Sequence, residues 1–97
     1  MQTTEAQREK VLAAMRYLNH EYQLALYKFM RTIGTASSIG DYLFKGNYHP
    51  LSRLLLIADT LGLTLQELYG VQSLPPGRVE VLKQRIRNGG WLLRSKR

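Results

Sequence analysis

The sequence predicts an all-α fold built from six short helices. Apolar residues recur three and four positions apart along most of the chain, which is the period of an amphipathic helix. Two stretches fit a capping box, in which a threonine and the residue three positions later satisfy each other's backbone amides: Thr4 with Gln7, and Thr64 with Glu67. Glycine or proline follows several of the apolar stretches, where such residues end one helix and allow another to begin.

Length and composition exclude several classes of protein. The 97 residues suffice for one domain, and the absence of cysteine excludes disulfides, zinc–cysteine sites and thiol catalysis. The first ten residues are polar and charged, so no signal peptide is expected, and the longest apolar run is far shorter than a membrane span. We therefore expect a cytoplasmic protein with no membrane partner.

The positive charge is concentrated at one end of the chain. The net charge is +7, yet residues 1–76 hold seven Lys or Arg against six Asp or Glu, whereas residues 77–97 hold seven basic residues against one acidic residue. Such a basic segment favours a polyanionic partner, nucleic acid first and an anionic membrane surface second. The alternative is a solvated tail that only aids solubility.

The first two helices are expected at residues 4–19 and 22–33. Helical spacing continues through this whole region with no proline or glycine, so periodicity alone permits one continuous helix. We place a break near residues 19–21, because Asn19 and His20 are mediocre helix formers and so long a helix is unusual in a small domain.

Residues 33–46 predict a tight turn and a third helix. Gly34 suits the left-handed conformation that ends a helix, and Thr35 and Ser37 are good N-caps, so the third helix is expected at about residues 36–45. Two helices joined by so short a turn form a helix-turn-helix. The expected inner face carries Ala36, Ile39, Gly40, Leu43 and Phe44. The expected outer face carries Ser38, Asp41, Tyr42 and Lys45, with Ser37 at its edge.

That outer face has two interpretations. Its short polar side chains suit the base edges and phosphates of a DNA major groove. The other interpretation is an ordinary amphipathic helix with a solvated polar face, and these residues alone favour neither.

Three further helices complete the predicted fold. Pro50 fits the first turn of a fourth helix that ends at Gly62, a fifth spans residues 65–69, and a sixth spans residues 78–88. The pair Pro75 and Pro76 cannot continue a helix, so residues 72–77 are expected to form a linker. The chain then divides into a domain at residues 1–71, this linker, and a C-terminal helix with a basic tail at residues 78–97.

This arrangement resembles the λ-repressor/Cro-type helix-turn-helix domain, the XRE class, over residues 22–71. Residues 33–46 look like the turn and recognition helix of that family, and residues 51–68 look like its fourth and fifth helices. The second stretch includes the family-like run IADTLGL at residues 57–63. The resemblance implies a compact five-helix DNA-binding domain, to which this chain adds the C-terminal helix and tail.

The resemblance also implies which side chains would contact DNA. The third helix would read bases, with Asp41 accepting a hydrogen bond from cytosine and Tyr42 touching a phosphate or a thymine methyl group. Ser37 and Ser38 could reach base edges or phosphates. Phosphates beside the helix would be held by Lys28, Arg31, Lys45, Asn47 and, as a weaker candidate, Arg53. The full set of candidate DNA-binding residues is Lys28, Arg31, Thr35, Ser37, Ser38, Asp41, Tyr42, Lys45, Asn47 and Arg53. The alternatives are helix capping for the serines, partial burial for Tyr42 and plain solvation for the charged side chains.

The C-terminal segment is expected to form a homodimer contact, because helix-turn-helix proteins commonly read two half-sites as dimers. Its apolar residues are Val79, Leu82, Ile86, Trp91, Leu92 and Leu93. The Gly89-Gly90 pair would end the sixth helix and could release a short strand. The alternative is that this segment folds back on its own chain, over Leu56 or the fifth helix.

The function predicted first is that of a sequence-specific double-stranded DNA-binding regulator, a small Cro-type repressor from a mobile element that binds a palindromic operator as a dimer. An antitoxin with a protein partner, or a protein-interaction adaptor with the same fold, is the alternative. Enzymatic chemistry has little support, since His20 and His49 lie far apart and neither serine at positions 37 and 38 has an obvious general base. No metal or other cofactor is expected.

Overall fold

The computed structural model describes residues 3–34, 38–44 and 50–93, and all of the regular structure described there is helical. The α-helices are α1 (Glu5–Glu21), α2 (Leu26–Thr32), α3 (Ile39–Phe44), α4 (Leu51–Thr60), α5 (Leu65–Tyr69) and α6 (Pro76–Gly89), with a 3-10 turn at Val71–Ser73. An isolated antiparallel bridge joins Leu24 to Leu92. The predicted all-α class is therefore confirmed.

Two helices begin with the predicted capping boxes. Thr4 Oγ1 accepts a hydrogen bond from the Gln7 backbone amide at 3.1 Å, and Gln7 Oε1 accepts one from the Thr4 amide at 2.9 Å. The same reciprocal pair joins Thr64 and Glu67, at 3.0 and 2.9 Å. Each box satisfies two amides that a helix start otherwise leaves without a partner, so the starts of α1 and α5 are fixed by local sequence.

The break between α1 and α2 lies at residues 22–25, slightly later than predicted. Gln23 takes a positive φ of 58°, which turns the chain sharply, and the Asn19 side-chain amide donates to the Leu24 carbonyl at 2.8 Å. Leu24 and Ala25 are fully buried beyond the turn. Both residues lie in the core, so tertiary packing contributes to the position of the break.

One core joins all the helices. α1 packs against α3, α5 and the 3-10 turn, α2 packs against α3, and α4 packs against α5. The fully buried side chains with the largest volumes are Phe29, Met15, Leu18, Leu24, Met30, Leu43, Leu54, Ile57, Leu61, Leu68, Leu82 and Ile86. Every buried side chain in the described part of the chain is apolar or aromatic. None of the helices described there is both long and apolar enough to span a bilayer.

Helix α6 begins earlier than predicted. Pro75 is its N-cap and Pro76 its first residue, so Pro76 and Gly77 belong to the helix and not to the predicted linker. Proline suits the first helical turn because its missing amide would have no intrahelical acceptor there. The chain between α5 and α6 is correspondingly short and contains the 3-10 turn.

An ion pair holds α6 against the turn between α4 and α5. The Arg78 guanidinium donates to both carboxylate oxygens of Glu67 at 2.9 Å and to the Gly62 carbonyl at 2.8 Å. Hydrogen bonds from Arg78 and from the Thr64 amide lower the pKa of Glu67 from 4.5 to about 2. Because a two-pronged Arg–carboxylate contact also fixes orientation, this pair sets where α6 starts.

Replacing Glu67 by glutamine should lower the thermal unfolding midpoint by a few degrees at pH 7. Glutamine keeps an oxygen for the capping box but loses the charge that Arg78 binds. Because the pKa of Glu67 is lower in the folded state than in the unfolded state, its stabilisation is present above about pH 4.5 and is lost as the pH falls toward 2. The difference between variant and wild type, measured by circular dichroism, should shrink across that range.

The matched control for this experiment is Glu80→Gln. The Glu80 carboxylate is exposed and lies 3.9 Å from the Lys83 amine, so its removal should leave the midpoint unchanged at either pH. If Glu67→Gln and Glu80→Gln had the same unfolding midpoint at pH 7 and at low pH, the structural role of the Glu67–Arg78 pair would be contradicted.

Candidate nucleic-acid interface

The connection from α2 to α3 begins with a left-handed glycine. Gly34 takes the predicted left-handed conformation, with φ of 71°, and its amide donates to the Arg31 carbonyl at 3.0 Å. Residues 35–37 lie outside the described residues, and α3 begins at Ile39 instead of the predicted residue 36. The capping hydroxyl belongs to Ser38, whose Oγ accepts from the Asp41 amide at 3.0 Å. The two short helices are therefore separated by six residues.

The buried face of α3 differs from the predicted one. Tyr42 was expected on the outer face, but only 7% of it is exposed, whereas Phe44, expected on the inner face, is 37% exposed. Ile39 and Leu43 are buried as predicted. The helix is thus rotated about its axis relative to the prediction, because α3 is covered by α1 as well as by α2.

Tyr42 and Arg53 form a contact between α3 and α4. The Arg53 guanidinium lies 5.1 Å from the centre of the Tyr42 ring and donates to the Tyr42 carbonyl at 2.9 Å. Burial raises the pKa of Tyr42, while the Arg53 charge acts in the opposite direction. The expectation that Tyr42 lies on an accessible DNA-reading face is wrong for this conformation. Arg53, expected to clamp phosphate, instead supports the end of α3.

A second arginine at α3 was missed by the sequence reasoning. The guanidinium of Arg8, in α1, lies 5.5 Å from the centre of the exposed Phe44 ring, and it also donates to the Thr3 carbonyl at 3.0 Å. It places a positive charge beside the C-terminal end of α3. The contact joins residues far apart in the sequence and follows only from the packing of α1 on α3, so no local motif could have indicated it.

The remaining predicted DNA-binding residues divide into three groups. Arg31 in the last turn of α2, Ser38 directly before α3, and Asp41 in the first turn of α3 are exposed on either side of the connection. Lys28 is half-buried, and its amine donates to the carbonyl of Leu92 at 3.0 Å. Outside the described residues lie Thr35, Ser37, Lys45 and Asn47. Among the predicted residues that the structure describes, the accessible ones are thus one cation and two short polar side chains.

Residues Trp91, Leu92 and Leu93, here called the C-terminal clasp, fold back onto α2. The Trp91 ring packs edge-on against Phe29 with ring centres 5.0 Å apart, and its indole N–H donates to Thr32 Oγ1 at 2.8 Å. Backbone bonds continue the contact, from the Ala25 amide to the Trp91 carbonyl at 2.6 Å and from the Leu93 amide to the Gln23 carbonyl at 2.7 Å. The clasp therefore fixes both ends of α2.

This fold-back is the intrachain arrangement that was the alternative to the predicted dimer contact. Leu82, Ile86 and Trp91 are buried within their own chain, Val79 and Leu92 are half-buried, and Leu93 is exposed. The alternative of intrachain packing applies, although the clasp covers α2 and not Leu56, which is 42% exposed. The residues with the largest apolar surface in the predicted interface are thus unavailable to a second chain in this conformation.

Helix α6 displays cations on its outer surface. Lys83, Arg85 and Arg87 are exposed, and Arg87 donates to Gln84 at 2.6 Å. The clasp ends at Leu93, which is bonded to Gln23 just before α2. The chain therefore continues into the basic residues 94–97 from a point beside the N-terminal end of α2.

Comparisons of this chain with protein-family models, with curated proteins and with solved structures gave no match. Within residues 3–34, 38–44 and 50–93, no three His, Cys, Asp or Glu side chains come together in a way that could hold a metal ion. Any functional interpretation therefore rests on the geometry and charge of the residues described above.

Two glycines of α6 should respond in opposite ways to alanine. A Cβ at Gly89 would lie 2.6 Å from the Trp91 ring, so Gly89→Ala must displace the clasp and should lower the free energy of unfolding by about 1–3 kcal/mol. A Cβ at Gly77 would meet nothing within 4 Å, so Gly77→Ala should raise that free energy by about 0.4–1 kcal/mol. Urea unfolding measures both changes.

The fluorescence of Trp91, the only tryptophan of the chain, gives a second measurement. Its emission should shift to longer wavelength in Gly89→Ala, because the displaced ring gains solvent, and should be unchanged in Gly77→Ala. A Gly89→Ala variant as stable as wild type, with unaltered emission, would show that the clasp does not close on α2 as described.

Proposed function

We propose that this protein binds double-stranded DNA in a sequence-specific manner through the segment from α2 to α3, and that it acts as a small transcriptional repressor by occupying operator DNA. The observation that carries the proposal is the α2–turn–α3 geometry itself. The left-handed Gly34 follows α2, α3 begins at Ile39, and Arg31, Ser38 and Asp41 are exposed on the two sides of the connection. Such a pair of helices can present the second one to a major groove.

The side chains beside the turn suit the two kinds of contact that DNA-binding proteins make, with phosphates and with base edges. Arg31 offers a positive charge to phosphate, which sets position and supplies salt-dependent affinity. Ser38 and Asp41 offer a hydroxyl and a carboxylate to base edges, and a carboxylate accepts specifically from the amino group of cytosine. The buried faces of α2 and α3 hold these groups at fixed positions.

The charge distribution supports the same proposal. Residues 77–97 carry an excess of six positive charges, and the three basic residues at 94–97 follow directly from the clasp on α2. A basic segment tethered beside a recognition element adds affinity for any phosphate backbone and leaves the choice of sequence to α3. The proposed repressor thus separates strength of binding from specificity.

Selection of bound duplexes from a random pool by the full chain tests the proposal, and we expect an enriched sequence. Arg31→Ala should weaken binding to the selected and unrelated duplexes alike and reduce the salt slope by about 0.9, the value for one phosphate contact. Asp41→Ala should instead change the preference at one base pair by about 1–3 kcal/mol. Titrations by fluorescence anisotropy at several salt concentrations measure both effects.

Arg85→Ala is the matched control for Arg31→Ala. Arg85 is an exposed arginine of α6, and its guanidinium lies beside Gly62 in the turn between α4 and α5. Its loss removes the same charge from a different part of the molecule and should have the smaller effect on binding. Equal losses in the two variants, together with the absence of an enriched sequence, would overturn the role proposed for the α2–α3 segment.

Shortening the chain to residue 93 tests the separate contribution of the basic tail. The truncation removes Arg94, Lys96 and Arg97, so we expect the salt slope to fall by about 2–3 units while the preferred sequence is unchanged. The comparison uses the selected duplex and a shuffled duplex of the same composition. An unchanged slope would show that the tail makes no phosphate contacts, and a changed sequence preference would show that it reads bases.

A further inference from the structure

The exposed face of α3 carries an aromatic ring beside a carboxylate. Ile39, Tyr42 and Leu43 are buried, so the opposite side of this short helix faces outward. That side holds Asp41 and Phe44, which lie three positions apart and are therefore neighbours on the helix surface. Phe44 is 37% exposed. The packing that buries Tyr42 thus presents the Phe44 ring together with the Asp41 carboxylate.

The surface next to this ring has room for a second molecule. Gly40 lies one helical turn before Phe44, on the same side of α3. A Cβ at Gly40 would meet nothing within 4 Å among the described residues. With no side chain at position 40, the helix backbone is accessible beside Phe44. A flat group can therefore approach the ring closely at this point.

Arg8 holds the Phe44 ring from the side of α1. Its guanidinium lies 5.5 Å from the centre of the ring, within the range of a cation–π contact. The same guanidinium donates to the carbonyl and to the hydroxyl of Thr3, at 3.0 Å each. Because the guanidinium is itself fixed by these bonds, it favours one orientation of a ring that lies at the surface.

We infer that Phe44 reads a thymine of the bound duplex by placing its ring against the C5 methyl group in the major groove. This inference rests on the proposed binding of DNA through α3. Thymine is the base that presents a methyl group in that groove, and phenylalanine is one of the side chains that can contact it. Phe44 is then a specificity-determining residue, in addition to Asp41.

The surroundings of the ring favour a methyl group over a phosphate. A phenyl ring has no N–H or O–H to donate to a phosphate, and the neighbouring Asp41 carboxylate repels one. Contact with a methyl group instead removes apolar surface of both partners from water. Among the groups that DNA displays to a helix in the major groove, the thymine methyl is the one that matches the ring.

The spacing of the two side chains limits where this thymine lies. Three residues of an α-helix rise by about 4.5 Å, and successive base pairs are about 3.4 Å apart. Asp41, which suits the amino group of cytosine, and Phe44 therefore address bases no more than about two base pairs apart. The expected operator contains a cytosine and a thymine at this separation.

Replacing thymine by uracil tests the inference, because it removes the methyl group and keeps the base pairing. The duplex is the one selected by the full chain from a random pool. At one thymine, near the base pair whose preference depends on Asp41, uracil should lower the affinity of the wild type roughly three- to fivefold, the gain expected from burying one methyl group. Phe44→Ala should bind the thymine and uracil duplexes equally, as measured by fluorescence anisotropy.

Two further variants make this result specific to the Phe44 ring. Tyr27→Ala is the matched control, because Tyr27 is an aromatic residue of α2 that is 53% exposed. It should keep the full difference between thymine and uracil. Phe44→Leu retains an apolar side chain and should keep part of that difference. Circular dichroism checks that each variant is folded.

The outcomes separate this inference from the proposed function. If no thymine methyl affected the wild type, or if uracil weakened binding by the wild type and by Phe44→Ala to the same extent, the role of Phe44 would be overturned. The same holds if Tyr27→Ala lost the difference as fully as Phe44→Ala. In these cases a selected sequence whose preference still depends on Asp41 would leave the proposed function intact. Selection that enriched no sequence would overturn both.

Discussion

Trp91 closes this small fold by packing edge-on against Phe29, with the ring centres 5.0 Å apart. The contact joins the end of α6 to the middle of α2, and the indole N–H bonds to Thr32 in the last turn of the same helix. Because α2 has only seven residues, too few to be stable alone, it depends on this contact for a fixed position. The left-handed turn at Gly34 and the orientation of α3 depend in turn on α2.

Several of the basic side chains that suggested DNA contacts instead make hydrogen bonds or ion pairs within the chain. Lys28 bonds to the Leu92 carbonyl, Arg53 to the Tyr42 carbonyl, and Arg78 to Glu67 and the Gly62 carbonyl. Each of these side chains donates to a backbone carbonyl: Leu92 in the clasp, Tyr42 in α3 and Gly62 in the turn after α4. A long cationic side chain can serve such a site with its donors and cover apolar surface with its stem. Counting basic residues therefore overstates the charge that is free to meet a polyanion.

The parts of the fold that could be predicted are those decided within a few residues. The capping boxes at Thr4 and Thr64 and the left-handed Gly34 need only their own neighbours, and the structure contains all three as predicted. The exchange of Tyr42 and Phe44 between the faces of α3 was not predictable in this way. A six-residue helix has too few residues to define one face by periodicity, so the packing of α1 and the nearby Arg8 and Arg53 decide which ring is covered.

In the candidate site, too, contacts between residues far apart in sequence could not be predicted. Nothing near Trp91 indicates that its partners are Phe29 and Thr32, since the three residues are brought together only when the whole domain has formed. The sequence did indicate that an apolar segment after the Gly89-Gly90 pair needed a partner. The choice between its own chain and a second chain depended on tertiary geometry.

The clasp also has a consequence for the order in which the molecule is made. Trp91 leaves the ribosome 59 residues after Thr32, so the growing chain exposes the inner side of α2 during most of its synthesis. Closing so long a loop costs entropy that is recovered only when the indole reaches its site. Folding should then end with docking of the clasp, and a nascent chain that lacks this segment would carry α2 and α3 without a fixed relative position.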